Sequence, residues 1–175
     1  MLELIKRNEK FYPGYREYCR EMYDAGVIYF RPMDPAYMDD GWFARTKPVY
    51  DRRETEPAPG QSRSFHYWAV DGERFIGEFQ LRTEFTERVL TDIGSIGYAV
   101  RPSEWGKGCG TEILRLGLGI AKTKGMEKVL LTVNDENAVS AHVIEKLGGR
   151  LADIIEACSE AEGKHLLRRY WIEIS

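Results

Sequence analysis

The chain has 175 residues, of which 43% are hydrophobic and 30% are charged, the balance of a folded domain rather than of a disordered or collagen-like chain. Its 25 basic and 28 acidic residues give a formal charge of −3, and without a basic block general nucleic-acid binding is not expected. Cys19, Cys109 and Cys158 lie far apart and match no disulfide framework, which favours a reducing, cytoplasmic location. The N-terminal segment has no apolar signal region and no run approaches 18 apolar residues, so neither secretion nor membrane insertion is predicted.

The first third of the chain is predicted to contain one short strand and two helices. The strand covers Met1–Ile5, and apolar residues at spacings of three and four predict an amphipathic helix over Glu9–Asp24, which ends before Gly26. A second short helix is expected over Pro35–Arg45, because proline suits the first turn of a helix. The charged segment Lys47–Ser64 contains three prolines and one glycine and is predicted to be a loop of the kind that forms binding loops or lids.

The remaining two thirds alternate between strands and helices. Strands over Phe65–Val70 and Arg74–Leu81 are joined by Asp71-Gly72, a hairpin-turn dipeptide. The elements predicted after them are a strand over Ile93–Val100, a helix over Lys107–Lys124, a strand over Lys128–Val133, a helix over Asn137–Leu147, and strands over Arg150–Glu156 and Leu166–Ile174. This order predicts an α+β fold, a single domain over residues 1–175 with one mixed central sheet and helices on both faces.

Three alternating glycines, Gly106, Gly108 and Gly110, precede or open the third predicted helix. Glycines there leave backbone N–H groups uncovered, and the helix N-terminus adds partial positive charge, so the turn suits a pyrophosphate group. Lys107 adds a mobile positive charge. A plain strand-to-helix turn is the alternative.

Two common nucleotide-binding patterns do not fit this turn. A P-loop would need glycine at the position of Arg101 and serine or threonine at that of Gly108. A dinucleotide fingerprint would need glycine at the position of Thr111. The turn therefore indicates a different phosphate-bearing ligand.

The sequence VRPSEWGKGCGTEIL resembles motif A of the GCN5-related N-acetyltransferases (GNAT), in which Gly108 and Gly110 match the two glycine positions. Trp105 stands where that motif normally has Arg or Gln. The sequence NDENAVSAHVIEKLGG resembles motif B of the same family, with Asn137 at the start of its helix. Motif A covers about residues 98–124 and motif B about 128–149, and the stretches IGYAVRPSE and RRYWIEI resemble a bacterial subgroup of predicted acetyltransferases.

The resemblance implies acetyl-CoA as co-substrate, with its pantetheine arm entering a gap between two splayed strands. The backbone of Tyr98, Ala99 and Val100 would pair with that arm. The pyrophosphate would be wrapped by Trp105, Gly106, Lys107, Gly108, Cys109, Gly110 and Thr111. Asn137 and Ser140, at the start of the motif B helix, complete the implied cofactor set, and Asn137 also suits a helix N-cap.

The resemblance further implies direct transfer to a primary amine in a ternary complex, with a glutamate on a central strand as general base. Glu78 and Glu84 are the candidates, because residues of equal parity on one strand share a face. Glu78 is favoured because its neighbours in FIGEFQL are mostly apolar and would perturb a carboxylate. For each of the two, a solvated charge on the strand face is the alternative.

The sequence departs from the family pattern at the residue that would protonate the CoA thiolate as it leaves. Many family members have a tyrosine seven residues after the motif B asparagine, and this chain has Ile144 there. Tyr98 is a possible substitute, although packing is the alternative, and Ser140 is a further candidate. The departure keeps a second hypothesis open, a catalytically weak regulatory module that binds acyl-CoA. A covalent route through Cys109 is disfavoured, because no histidine lies near it in sequence.

The acceptor is expected to be a small-molecule or peptide amine. Asp51, Glu54 and Glu56 in the predicted loop could attract a cationic amine or could simply be solvated. The three histidines lack the spacing of metal ligands, so no metal is expected. No nucleic-acid or membrane partner is predicted, and terminal strand edges make a homodimer plausible.

Overall fold

The structure, a computed structural model, describes residues 1–27, 34–159 and 163–174 and contains four α-helices and seven strands there, besides short 3₁₀ and π-helical turns. The helices are α1 (Tyr12–Asp24), α2 (Trp42–Thr55), α3 (Cys109–Thr123) and α4 (Ala138–Lys146). The strands are β1 (Leu2–Lys6), β2 (Ser64–Asp71), β3 (Arg74–Arg82), β4 (Ile96–Val100), β5 (Lys128–Asn134), β6 (Arg150–Ser159) and β7 (Gly163–Glu173). No helix of the described residues is both long and apolar enough to cross a membrane.

The strands form two antiparallel sheets in place of the one mixed sheet expected from the sequence. The first has the order β1-β2-β3-β4 and the second the order β5-β7-β6. The sheets meet where β4 begins: the Ser95 N–H donates to the Leu130 carbonyl at 2.6 Å, and the Leu130 N–H donates to Ser95 Oγ at 3.2 Å. No strand pairing joins β4 to β5 in the described ranges, so the two sheets do not form one continuous central sheet.

Helix α3 packs closely against one face of the first sheet. A Cβ atom at Gly117 would overlap the Phe79 ring, so glycine at this position lets the helix approach β3. Ile113 and Leu114 are fully buried in the same core. This packing fixes the N-terminus of α3 near the end of β4.

The other face of the first sheet is covered by α1 and α2 through a cluster of aromatic side chains. Tyr15 stacks on Trp68 with ring centroids 4.9 Å apart, and Phe75 meets Tyr15 edge-on at 5.4 Å. Trp42 and Phe43 of α2 complete the buried cluster. Helices therefore lie on both faces of the sheet, as predicted.

The structure corrects the prediction of a short helix over Pro35–Arg45. A 3₁₀ turn covers Pro35–Tyr37, and α2 begins at Trp42 and continues to Thr55 through Pro48. The predicted loop over Lys47–Ser64 is therefore helical in its first half. Tertiary contacts outweigh the helix-breaking tendency of proline. The Arg7 guanidinium lies 3.8 Å from the centroid of the Tyr50 ring and donates to Thr46 Oγ1 at 3.1 Å.

The segment between β3 and β4 also differs from the prediction. Strand β4 begins at Ile96 rather than Ile93, because Val89–Ile93 forms a π-helical turn. Strand β3 ends at Arg82, so Glu84 lies beyond it and does not continue its alternation of faces. The π-helical turn lies beside the cavity described below.

Candidate active site

The glycine turn leaves a row of backbone donors without acceptors. Gly106 and Gly108 have φ values of +74° and +82°, a region that favours glycine, and nothing lies within 4 Å of where their Cβ atoms would be. The N–H groups from Gly106 to Thr111 make no well-formed hydrogen bond within the described ranges. These donors lie at the N-terminus of α3, where anions are favoured.

The charged side chain of this turn is held by its neighbours. Lys107 Nζ donates to the Ser103 carbonyl at 2.8 Å and lies 3.2 Å from Glu104 Oε2. The exposed Trp105 donates its indole N–H to the Val100 carbonyl at 2.8 Å. The turn is thus tied to the end of β4, and its free polar groups are mainly backbone N–H groups.

Strand β4 presents the backbone groups of alternate residues to the gap beside β5. The Arg101 N–H donates to the Ile76 carbonyl at 2.9 Å, which places the odd-numbered residues of β4 in hydrogen-bonded pairs with β3. Tyr98 and Val100 therefore direct their backbone groups away from β3. The backbone groups of Ala99 point into the ladder with β3, and not toward the gap where the pantetheine arm was expected to contact them. The Val100 carbonyl points away from β3 but already accepts a hydrogen bond from the Trp105 indole.

The Tyr98 hydroxyl is a buried polar atom without a hydrogen-bond partner among the described residues. Burial raises the pKa of Tyr98, and a weak hydrogen-bonding interaction with the Ser140 side chain opposes this effect, although no hydrogen bond of good geometry joins the two side chains. Ser140 lies at the start of α4, where the Asn137 side chain accepts from the Ser140 N–H at 3.0 Å as an N-cap. Ile144 is buried in the core on the same helix.

These features fit an acyl-CoA molecule. The N–H groups from Gly106 to Thr111 suit a pyrophosphate, and the free edge of β4 suits an amide-bearing arm. The unpartnered Tyr98 hydroxyl, near the start of α4, suits a sulfur atom or carbonyl oxygen as its missing partner. The turn and the strand are adjacent, since a Cβ atom at Gly110 would lie 3.5 Å from the Tyr98 ring.

Glu78 lies on β3, directly opposite Ala99 of β4. Its carboxylate accepts a hydrogen bond from the buried Tyr18 hydroxyl at 3.1 Å. Desolvation raises the pKa of Glu78 to about 7, against the opposing effects of the Tyr18 hydrogen bond and of the Arg7 charge. A carboxylate with a pKa near neutrality is suited to accept a proton.

Glu84, the second predicted carboxylate, is engaged by the segment before β2. Its carboxylate accepts from Ser62 Oγ at 2.7 Å and from the Arg63 N–H at 2.6 Å, and it pairs with the Arg63 guanidinium at 2.5 Å. Although burial alone would raise the pKa of Glu84, the hydrogen bonds from Ser62 and Arg63 lower it. The carboxylate is held ionised as an anchor of this loop.

A cavity of about 350 Å³ lies beside Glu78, between α2, the start of β2, the end of β3 and the π-helical turn. Its polar wall includes Ser64, His66, Gln80 and Arg82, none of which the sequence motifs identified. The signal for Gln80 and Arg82 was the alternation of β3, in which residues 78, 80 and 82 share one face, and Ser64 and His66 lie opposite Arg82 and Gln80 on β2. The volume is at the lower end of the range for small-molecule sites.

Cys109 begins α3 at the glycine turn and is half-buried. Desolvation, with the charge of Glu104 adding to it, raises the pKa of its thiol, so the side chain is not an activated thiolate. No group of three or more metal-ligating side chains occurs in the part of the chain that the structure describes.

Comparisons with known proteins identify the family and the fold of the chain. A family model described as acetyltransferase (GNAT) domain matches residues 16–150. The microcin C7 self-immunity acetyltransferase, solved with acetyl-CoA and AMP, has a TM-score of 0.73 at 11% identity, over 99% of this chain and 92% of that one. No curated protein sequence matches the chain.

Two further solved structures have the same fold. The acetyltransferase from Salmonella typhimurium that modifies the N-terminal serine of a 50S ribosomal subunit protein has a TM-score of 0.72 at 15% identity, over 99% of this chain and 95% of that one. A spermidine N-acetyltransferase chimera from Vibrio cholerae and hSSAT has a TM-score of 0.69 at 15% identity, over 98% and 95% of the two chains. The fold and the acetyltransferase activity predicted from the motifs are confirmed, and the chain belongs to the GNAT family of acetyltransferases.

Proposed function

We propose that this protein transfers an acetyl group from acetyl-CoA directly to a primary amine bound in the cavity beside Glu78. The observation that carries the proposal is the position of Glu78 across the β3–β4 ladder from Ala99, on the strand whose free edge faces the gap. Solved structures of this fold include enzymes for a protein N-terminus and for spermidine, so an amine acceptor is consistent with them.

We assign the binding of acetyl-CoA to the turn from Gly106 to Thr111 and to the free edge of β4. The N–H groups of the turn would donate to the pyrophosphate, with Lys107 adding positive charge. The backbone of Tyr98 would pair with the arm, and the N-cap at Asn137 holds the start of α4 beside it. Bound there, acetyl-CoA supplies an activated thioester.

Glu78 acts as the general base in this proposal. An amine enters the cavity largely protonated and must lose a proton before its nitrogen can form the new bond to the acetyl carbon. With its pKa near 7, Glu78 can accept that proton directly or through one water molecule. The carbon–sulfur bond breaks in the same transfer, and the leaving sulfur gains negative charge.

Tyr98 is assigned to the leaving sulfur, because its hydroxyl is buried and has no partner within the described ranges. Tyr98→Phe is expected to lower kcat about tenfold or more. Acid–base groups usually contribute about 10²- to 10⁴-fold, so a tenfold loss would be a small effect for such a group. The free energy of unfolding should be unchanged or higher, since the lost hydroxyl is buried and makes no hydrogen bond of good geometry with a described residue. Tyr67→Phe on strand β2, which β3 separates from β4, is the matched control and should alter neither kcat nor stability.

Release of CoA thiol, measured with a panel of primary amines, tests the proposed function, with mass spectrometry of the N-acetyl product as confirmation. Thiol release is expected only when both acetyl-CoA and an accepted amine are present. Binding of acetyl-CoA without transfer to any amine would instead favour the regulatory module that binds acyl-CoA.

Other parts of the proposal concern the setting of the enzyme. We propose a bacterial, cytoplasmic protein that needs no metal and no nucleic-acid partner, and the three cysteines of the described ranges are free thiols. A homodimer is also proposed, because the edge strand β6 exposes apolar side chains at Leu151 and Ile154. Sedimentation of the purified protein would test the dimer.

A further inference from the structure

The acceptor cavity is lined by three arginines and by a single carboxylate. Arg53, Arg82 and Arg88 contribute to its wall, and Glu78 is the only acidic residue among the described side chains that line it. An acceptor whose only charged group is its amine would need one carboxylate in the cavity to bind and deprotonate that amine, and Glu78 supplies it. The arginines therefore require a separate explanation.

Arg82 is the most firmly placed of the three. Its guanidinium donates to Gln80 Oε1 at 2.6 Å and to the carbonyls of Ile93 and Gly94 at 3.4 and 3.3 Å. Desolvation and the neighbouring positive charge of Arg88 lower the pKa of Arg82 to about 10, so it stays charged at neutral pH. Within the described ranges no carboxylate pairs with it.

The other two arginines add to the positive field. Arg53 packs over the Tyr50 ring at 4.8 Å and forms no ion pair with a described residue, while Arg88 lies 3.7 Å from Asp92 at the exposed rim. Burial, followed by the charges of Arg53 and Arg82, lowers the pKa of His66 to about 2, so this histidine is neutral. The wall opposite Glu78 therefore has a net positive charge.

The acidic residues that could attract a cationic amine lie elsewhere. Asp51 pairs with Lys47 at 2.6 Å, one turn earlier on α2, and Glu54 pairs with Lys6 of β1. Neither lines the cavity, and Glu56 does not line it either. The cavity wall is thus opposite in charge to what a polyamine would need.

We infer that the acceptor is an amine that also carries an anionic group, a carboxylate or a phosphate-type oxyanion, held by Arg82 while the amine lies at Glu78. Arginine recognises both anions through paired N–H donors. This inference rests on the proposed amine acetylation and adds the chemical class of the acceptor.

The strand geometry sets the separation of the two groups. Glu78 and Arg82 are four residues apart on one face of β3, or about 13 Å between Cα atoms at about 3.3 Å per residue. The Arg82 side chain extends back over Gln80, which shortens the distance between the two charged ends. An acceptor with a few atoms between amine and anion is expected to fit better than an α-amino acid.

The test uses the full chain with acetyl-CoA and a matched panel of amines. The carboxylate arm contains glycine, β-alanine, γ-aminobutyrate and ε-aminohexanoate, each paired with its neutral amide. The phosphate-type arm contains aminoalkylphosphonates of the same lengths, and spermidine is the cationic comparison. Steady-state kinetics and calorimetric binding to the CoA-loaded protein are both measured.

An acid-bearing amine should have a kcat/KM at least about tenfold higher than its amide, and Arg82→Gln should raise its KM about 10- to 100-fold, the range expected for a charged hydrogen bond. Arg82→Lys should restore part of the affinity. Arg115→Gln, which breaks an exposed pair with Glu112 on α3, is the control and should change neither value.

Equal or faster acetylation of the amides or of spermidine would overturn the inference and leave the proposed acetylation standing. The same holds if Arg82→Gln leaves the KM of every acidic acceptor unchanged. If no amine is acetylated, the proposed function fails, while calorimetry still decides the inference: binding of an acidic amine that is lost in Arg82→Gln supports it, and absence of binding overturns it.

Discussion

Glu78→Gln is expected to lower kcat by about 10²- to 10⁴-fold, the usual contribution of a general base, while the affinity for acetyl-CoA stays unchanged. The amide keeps the shape of the side chain and can still accept from Tyr18. It cannot take the proton of the amine. Steady-state kinetics with an accepted amine, together with calorimetry of acetyl-CoA binding, measure the two effects separately.

The pH dependence follows from the raised pKa of Glu78. Below about pH 7 the carboxyl is protonated and cannot act as a base, so kcat/KM of the wild type should fall as the pH falls through 7. The folded protein holds this proton more tightly than the unfolded chain, whose carboxyl has the ordinary value of 4.5. The stability of the folded state therefore decreases as the pH rises from about 4.5 through 7, and Glu78→Gln should be more stable than wild type above pH 7.

Glu84→Gln is the matched control for this pair of candidates. Its carboxylate is bound by Ser62 and Arg63, so the substitution should weaken that loop and lower the free energy of unfolding while most of the activity remains. A large loss of kcat in Glu84→Gln, with little loss in Glu78→Gln, would contradict the assignment of the base.

Gly108→Val is expected to weaken acetyl-CoA binding by tenfold or more. The φ of +82° is strained for a β-branched residue, and the new side chain would extend from the turn whose N–H groups are needed by the pyrophosphate. Loss of even one charge-assisted hydrogen bond corresponds to about 10- to 100-fold in affinity. Calorimetric titration with acetyl-CoA measures the effect.

Gly125→Val controls for backbone strain. Gly125 follows the other end of α3 with a φ of +76° and open space around it, so valine there meets the same conformational cost far from the turn. Both variants should lose similar stability, and only Gly108→Val should lose affinity. Equal affinities in the two variants would show that the turn does not bind the ligand.

Local sequence patterns predicted the elements around the turn well. Strand β4, the glycines and helices α3 and α4 each have a local signal, namely an apolar run, a turn residue or an N-cap such as Asn137. The desolvation of Glu78 was predicted for the same reason, since its apolar neighbours on β3 are visible in the sequence.

The parts that were missed depend on contacts between distant segments. Helix α2 continues through Pro48 because Tyr50 and Thr46 pack on Arg7, which lies 39 residues from Thr46 in sequence and gives no local signal. Arg82 lies one residue beyond the strand predicted over Arg74–Leu81, and only the π-helical turn and β2 place it in a cavity. Likewise, Glu84 shares parity with Glu78 in the sequence, but β3 ends before it.

Thermal unfolding with acetyl-CoA, CoA and ATP tests most directly whether the glycine turn and the β4 edge form an acyl-CoA site. Acetyl-CoA and CoA at about 100 times their dissociation constants should each add about 2.7 kcal/mol of stability, or about 5–10 °C in Tm for a chain of this size, and ATP should add none. Absence of a shift at millimolar acetyl-CoA, or an equal shift with ATP, would contradict this account of the site.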